Sequence, residues 1–405
     1  MSRTIPDPIT VLSDAALADA ALRHHRQARG KIEIRGRVPL EGPADLALAY
    51  TPGVAAAAAA IARDPDASYT YTGRGNLVAI ISDGTAVLGL GRVGPLAALP
   101  VIEGKALLLK HLAGVDAFPL ALAVEDVATL VTVVRALEPT FGAIVLEDVA
   151  APACFAVVEQ LEQQLEIPVF HDDQHGTAAA VCAALLNALR ITGRRLEETR
   201  IVVNGAGAAG LATARMLLEL RPASLLVCDS RGILAPGRAG MNPYKEAVAR
   251  ATNPGGRTGS LAEALEGADV FVGLSSAGAL KPEDVRRMAP DPVVFALANP
   301  EPEIGAEQAR DAGAAVAATG RSDDPNQINN VLIYPGLLKG ALEVRARAIT
   351  PGMVLAAARA LAPLADLDGG RLLPSIWDPR VVPAVADAVA RQAAADGVAR
   401  QAPAG

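Results

Sequence analysis

The chain has 405 residues, of which 51% are hydrophobic and only 3% aromatic, and it carries a formal net charge of −7. That length points to two or three domains, and the apolar content excludes a disordered chain. An acidic balance argues against a nucleic-acid surface, which needs a basic patch, but leaves room for a small anionic substrate beside local cations. Cys154, Cys182 and Cys228 form no C-x-x-C pair and read as reduced thiols of a cytoplasmic protein. The N-terminus lacks the apolar core of a signal peptide. The longest bland run, residues 54–62, is about half the length of a membrane span. Neither nucleic acid nor membrane is therefore an expected partner.

Residues 1–12 read as a flexible leader. Ser13 is placed to cap a helix that runs to Arg29 and stops at Gly30. KIEIRGRVPL follows with strand-like alternation. A turn at Thr51-Pro52-Gly53 leads into an alanine-rich helix. NLVAIIS is a buried strand that opens into the glycine-rich loop SDGTAVLGLGRVGP, and EGKALLLKHLAG is a helix. DAFPLAL and FGAIVLED are two more strands, separated by a helix near Val127–Leu137. IPVF then ends in HDDQHG, before another alanine-rich helix. RIVVN, SLLVCD, ADVFVG, PVVFALA and AAVAAT continue the alternation. Strands alternating with helices imply parallel sheets wound on both faces. The expectation is an α/β fold with two domains, 1–165 and 166–405, whose ligands bind at the carboxyl ends of the strands. Residues 350–395 read as helices and the final nine residues as frayed.

Gly205-Ala206-Gly207-Ala208-Ala209-Gly210 is a G-x-G-x-x-G between a strand and a helix, and the next strand ends in Asp229. Together these make the dinucleotide fingerprint, so the second domain is read as Rossmann-type. Gly205 makes the tight turn, Gly207 admits the pyrophosphate and Gly210 lets helix and strand pack closely. Asp229 suits the ribose hydroxyls of NAD. Ser230 and Arg231 suit a 2′-phosphate and tilt the reading toward NADP.

Two strands each end in an adjacent acid pair, Glu147-Asp148 and Asp172-Asp173. Neighbouring carboxylates repel and raise each other's pKa. Four of them on two loops suit a hard cation, Mg²⁺ or Mn²⁺, which takes oxygen ligands. Each pair taken alone would read as loop acids or helix caps. The five histidines and three cysteines show no zinc spacing, and His171 reads as a strand-end residue making local contacts.

HDDQHGTAAA, LEDVAAP, AYTPGVA, SDGTAVLGLG, EGKALL, GAGAAG, FALANPEPE and NQINNVLIYPG, in this pattern, resemble the malic enzymes in their compact bacterial form. The resemblance implies oxidation of L-malate at C2 by NAD(P)⁺, then loss of CO₂ to give pyruvate. It implies Glu147, Asp148 and Asp173 as metal ligands and Lys105 as the base, with Asp172 beside it. It also implies Tyr50 as the acid that protonates C3. Asn299, Asn329 and Asn330 would hold substrate carboxylate and cofactor amide. As a base, Lys105 must be lowered from the usual value of about 10.4 toward neutrality. Larger family members carry an arginine where this chain has Ala86, so Arg92 and Arg74 are the candidate carboxylate grips. A homodimer or higher oligomer is implied as well. Two rival readings are a malolactic-type enzyme, which makes lactate, and another hydroxyacid dehydrogenase on the same plan.

Overall fold

The computed structural model describes residues 14–87 and 89–403. The leader 1–12 and the cap at Ser13 lie outside the described residues. Four strands, β1 (Leu77–Ser82), β2 (Asp116–Ala121), β3 (Ala143–Leu146) and β4 (Val169–His171), form a parallel sheet in the order β2-β1-β3-β4. β1, β3 and β4 are almost wholly buried apolar runs, as strands covered on both faces must be. β2 lies at the edge, which lets it carry Pro119 without costing the sheet an internal hydrogen bond. β4 lies past residue 165 yet pairs with β3, so the first sheet closes only at His171.

The second sheet contains β5 (Arg200–Asn204), β6 (Ser224–Asp229), β7 (Gly232–Ile233), β8 (Val270–Gly273), β9 (Val293–Ala296) and β10 (Val316–Thr319). Their order is β10-β9-β8-β5-β6-β7. All pairs are parallel except β6–β7. The sequence reading missed β7, a two-residue return strand after the turn at Ser230-Arg231. The chain leaves β5 toward β6 and leaves the adjacent β8 toward β9, in opposite directions, which opens a ligand crevice between their carboxyl ends.

One apolar core joins the two sheets, running from Val78–Ile81 of β1 to Val203 of β5 and Val270 of β8. The helix Thr177–Thr192 is buried within it along almost its whole length, and its alanines allow close approach from every side. The C-terminal helices Tyr334–Glu343, Pro351–Leu361 and Val381–Ala395 pack on one another. Gly340 is required there, because a Cβ would lie 3.0 Å from Ala386 Cα.

Two expectations fail. Residues 32–40 form no strand: Ile32, Ile34, Val38 and Leu40 are exposed, and no strand pairs with them among the described residues. The alternation marks an apolar face that the described residues do not cover. The described part of the C-terminal tail is anchored at Arg400 and Gln401 rather than frayed. Arg400 N and Gln401 N donate to Val344 O at 2.9 and 3.1 Å, and Arg400 pairs with Glu166.

The buried Asn187 ties the core helix to the C-terminal region, its Nδ2 donating to Ala362 O and Leu372 O at 2.8 Å each. Asn187→Ala leaves both carbonyls without that donor. It should lower unfolding free energy by roughly 2–4 kcal/mol, measurable by urea denaturation.

Candidate active site

The register of the first sheet builds the acid cluster. Leu146 of β3 pairs with His171 of β4, so Glu147-Asp148 and Asp172-Asp173 leave the sheet side by side. Asp148 adopts a left-handed φ of 54°, which turns the chain sharply after Glu147. Asp172–Gly176 forms a π-turn that continues into the core helix. The loop after β1 closes over the first pair: Ala86 N donates to Asp148 O at 2.9 Å, and Ala150 N to Thr85 Oγ1 at 2.9 Å.

Lys105 lies on the helix Pro95–Ala113, which begins with a proline and ends at the left-handed Gly114. Its Nζ pairs with Asp172 Oδ2 and lies 3.0 Å from Glu147 Oε2. The ammonium sits over the ring of Tyr334, 4.8 Å from the centroid. Asn330 Nδ2 donates to the same Asp172 oxygen at 2.5 Å. That bond joins the loop after β10 to the loop after β4, and so brings the carboxyl ends of the two sheets together.

Burial is the dominant electrostatic fact, complete at Glu147, Asp148 and Asp172 and partial at Asp173. It raises Glu147 well above the ordinary range and also raises Asp172 and Asp173, against the opposing pull of Lys105. Asp148 is pushed up to about 7 by burial and by Asp173. Burial alone would lower Lys105, but the charges of Asp172 and Glu147 outweigh it and hold the ammonium well above its usual value. Lowering it toward neutrality, as a base requires, needs a positive charge that offsets Glu147 and Asp172.

Among the described residues, no three His, Cys, Asp or Glu side chains are gathered as a ready-made ligand set. The donors nevertheless fit a hard divalent cation. Asp148 Oδ2 is a buried oxygen without a hydrogen-bond donor, Glu147 Oε2 has only the Lys105 ammonium at 3.0 Å, and the acids outnumber the one lysine among them. Asp173 remains partly open to solvent. His171 is buried with both ring nitrogens unbonded, so its local contacts are packing ones, with Nδ1 4.0 Å from Asp173 Oδ2.

The remaining expected residues divide. Tyr50 is not brought to this cluster within one chain: it is 65% exposed, and its phenol has no hydrogen-bond partner among the described residues. Asn329 caps the short helix Asn330–Leu332 through Val331 N at 3.0 Å. Asn299 sits just beyond β9, with Nδ2 3.4 Å from Leu297 O. Arg74 is held away by Ser68 Oγ, Phe141 O and the Tyr69 ring. Arg92 makes no ion pair among the described residues. It lines a cavity of about 120 Å³ with Asp83, Thr85 and Asp126. Ala86 is half-buried in the loop over Asp148.

At the dinucleotide turn, Gly205 has φ 124°, which favours glycine, and a Cβ on Gly210 would strike the Gly205 carbonyl. Gly207 precedes the helix Ala208–Glu219, whose first turn contains Ala208 and Ala209. Its free N–H groups suit a pyrophosphate. Ala206 packs partly against the core. Asp229 is not free: Arg238 Nη2 lies 2.5 Å and Lys245 Nζ 2.9 Å from its Oδ2, and Arg231 N donates to Oδ1 at 2.9 Å. Burial opposes its ionisation, but these three donors hold the carboxyl at about 2. Arg231 turns its guanidinium to Ala239 O at 2.7 Å, and Ser230 is exposed. The sequence reading missed Arg238, Lys245 and Tyr334. Nothing local marks the two cations, which follow Asp229 by 9 and 16 residues. Tyr334 lies in NQINNVLIYPG, where only its neighbours were singled out.

Fold and site together define a dinucleotide-dependent enzyme with a buried acid–lysine cluster between two parallel sheets. The family description "Malic enzyme, N-terminal domain" matches residues 29–162, and "Malic enzyme, NAD binding domain" matches residues 174–394. The chain belongs to the malic enzyme family. It is 51% identical over 370 residues to the bifunctional malic/malolactic enzyme of Bacillus subtilis, covering 90% of each chain. It is also 51% identical to the NADP-dependent malic enzyme of Rhizobium meliloti, covering 87% of this chain and 46% of that one. The structure of the NAD-dependent malic enzyme of Thermotoga maritima superposes with a TM-score of 0.89 at 48% identity, covering 91% of this chain and 98% of that one.

If the acid cluster holds a cation, Asp173→Asn should weaken Mn²⁺ binding by about ten-fold or more. Titration calorimetry reads the affinity, and circular dichroism should show an unchanged fold.

Proposed function

We propose that this chain catalyses metal-dependent oxidative decarboxylation of L-malate to pyruvate and CO₂, with reduction of NAD(P)⁺. The single observation that carries this reading is Lys105 held between Glu147 and Asp172, at the place where the Asn330 contact joins the two sheets. Lys105, in its neutral amine form, takes the C2 hydroxyl proton. Asp172 orients the lysine and is itself fixed by Asn330. The Tyr334 ring supports the ammonium form that results. Glu147, Asp148 and Asp173 would hold Mg²⁺ or Mn²⁺, which supplies Lewis-acid stabilisation of the C2 oxygen. Asn299 and Asn329 lie at the nicotinamide side, where Asn299 is the better placed to meet substrate carboxylate or cofactor amide. Residues 205–210 receive the pyrophosphate. The clamp on Asp229 favours NADP: a carboxylate already held by Arg238 and Lys245 is a poor acceptor for ribose hydroxyls, and with Arg231 those cations suit a 2′-phosphate. The cytoplasm is the expected location.

We further assign the functional unit as a homodimer. The helices Pro43–Ala49 and Val54–Arg63 bury none of their residues and expose Leu46, Leu48, Tyr50 and Val54. By length and mean hydropathy of 1.4, residues 43–63 would pass as a membrane span. They form two short helices broken at Tyr50–Gly53, however, each far below the roughly 20 residues a span requires. Such an apolar arm calls for a protein partner. It is rooted beside the Lys105 helix through Lys31 N to Glu103 Oε2 at 3.0 Å, and on the C-terminal side through Arg345 to Asp66 at 2.8 Å. Packing of the arm on a second copy would cover its apolar face and carry Tyr50 to the partner's site, where its phenol protonates C3.

The activity test mixes protein, L-malate and Mn²⁺ with NAD⁺ or NADP⁺ in parallel. Reduced cofactor and pyruvate should form in equal amounts, faster with NADP⁺, and a chelator should abolish both. Lactate without net reduction would instead favour the malolactic reading, which the name of the Bacillus subtilis relative keeps open. The arm has its own test. Lys105→Ala and Tyr50→Phe proteins, each inactive alone, should regain about one quarter of wild-type activity after subunit exchange. No recovery in demonstrated heterodimers would place Tyr50 in its own chain's site.

A further inference from the structure

Glu303 is wholly buried and has no ion-pair partner among the described residues. Its carboxylate is satisfied by three donors from two loops. Ser275 N and Oγ donate to Oε1 at 2.8 and 3.0 Å, and Ala298 N donates to Oε2 at 3.0 Å. Ser275 Oγ in turn accepts from Asn204 Nδ2 at 3.0 Å. Asn204 ends β5 and immediately precedes the Gly205 turn, while Ser275 and Ala298 each lie two residues past the ends of β8 and β9. One buried carboxylate therefore links the carboxyl ends of three adjacent strands at the point where the sheet changes direction. The fit is close: a Cβ on Gly273 would lie 2.7 Å from both Glu303 oxygens.

Burying a carboxylate without a cation is costly unless every oxygen is matched by donors. The network is therefore strained by any loop conformation that withdraws Ser275 or Ala298. In a sheet of this topology, the loops after β8 and β9 border the nicotinamide half of the dinucleotide, and Asn299 follows Ala298 directly. We infer that Glu303 is a positioning residue for the nicotinamide half of the cofactor, acting through Ser275 and Ala298 rather than by touching the ligand. This rests on the dinucleotide site proposed above. A glutamine at 303 offers one acceptor oxygen and turns an NH₂ toward an N–H donor, so it breaks the network at nearly constant volume. Ser275→Ala removes only the bridging hydroxyl and keeps the backbone donor, which makes it the gentler variant.

The experiment measures binding of NADPH and NADH by fluorescence, with steady-state kinetics, in wild type, Glu303→Gln, Ser275→Ala and the double variant. Glu303→Gln should raise the cofactor dissociation constant and KM by about ten-fold and Ser275→Ala by about three-fold, with malate KM within about two-fold of wild type. The double variant should resemble Glu303→Gln alone, because both changes break one network. Wild-type cofactor affinity in a folded Ser275→Ala protein would overturn the inference. So would a loss of kcat that tracks the folded fraction with both KM values unchanged. Failure of wild type to bind either reduced cofactor would overturn the dinucleotide site itself, and the inference with it.

Discussion

Four carboxylates, three of them buried and one half-buried, crowd around one lysine at the ends of two paired strands, and much of the structure answers to that constraint. The parallel register of β3 and β4 makes the crowding unavoidable, since both acid pairs begin one residue past paired positions. Lys105 compensates one charge, leaving an excess that only protons or a cation can remove. The positive φ at Asp148 and the π-turn at Asp172–Gly176 are the local distortions that aim the acids inward. Such distortions are costly in an ordinary loop and persist where surrounding packing fixes them. Here the buried core helix fixes them from below, while the loop after β1 covers them from above.

The second sheet solves a different problem. Its carboxyl ends must present bare backbone to a dianionic pyrophosphate, which Gly207 does, while Gly205 and Gly210 let the turn and the helix pack closely enough to aim it. The polar groups that remain are tied to one another. Asp229 is neutralised by Arg238 and Lys245, and Glu303 accepts hydrogen bonds from backbone and hydroxyl donors. Each carboxylate near the crevice thus has a fixed partner, which orders the loops around it before any ligand arrives. Asn330 then couples this crevice to the acid cluster by one hydrogen bond to Asp172.

Most of the fold was legible in the sequence because buried parallel strands are continuous apolar runs. β1, β3, β5, β6, β8, β9 and β10 all fall where such runs end in glycine or polar residues. The acid pairs and glycine turn were legible for the same reason, as strand-end features with a known geometric consequence. What stayed hidden was set by contacts distant in the chain. Arg238 and Lys245 reach Asp229 only through the return of the chain after β7. The direction of the Lys105 shift depended on how closely Glu147 and Asp172 approach it. The alternation in KIEIRGRVPL was read as a strand because periodicity reports an apolar face, not what covers it. Tyr50 shows the same limit, since its motif names a role but not the surface on which it is exposed.

The whole centre turns on whether the acids form a cation site at which Lys105 works. Anomalous diffraction from crystals grown with Mn²⁺ tests this most directly. One strong peak is expected, bonded to Glu147, Asp148 and Asp173, with Lys105 still paired to Asp172 but drawn away from Glu147. A manganese peak elsewhere, or none in the cluster at saturating Mn²⁺ with Lys105 still bridging Glu147 and Asp172, would contradict it.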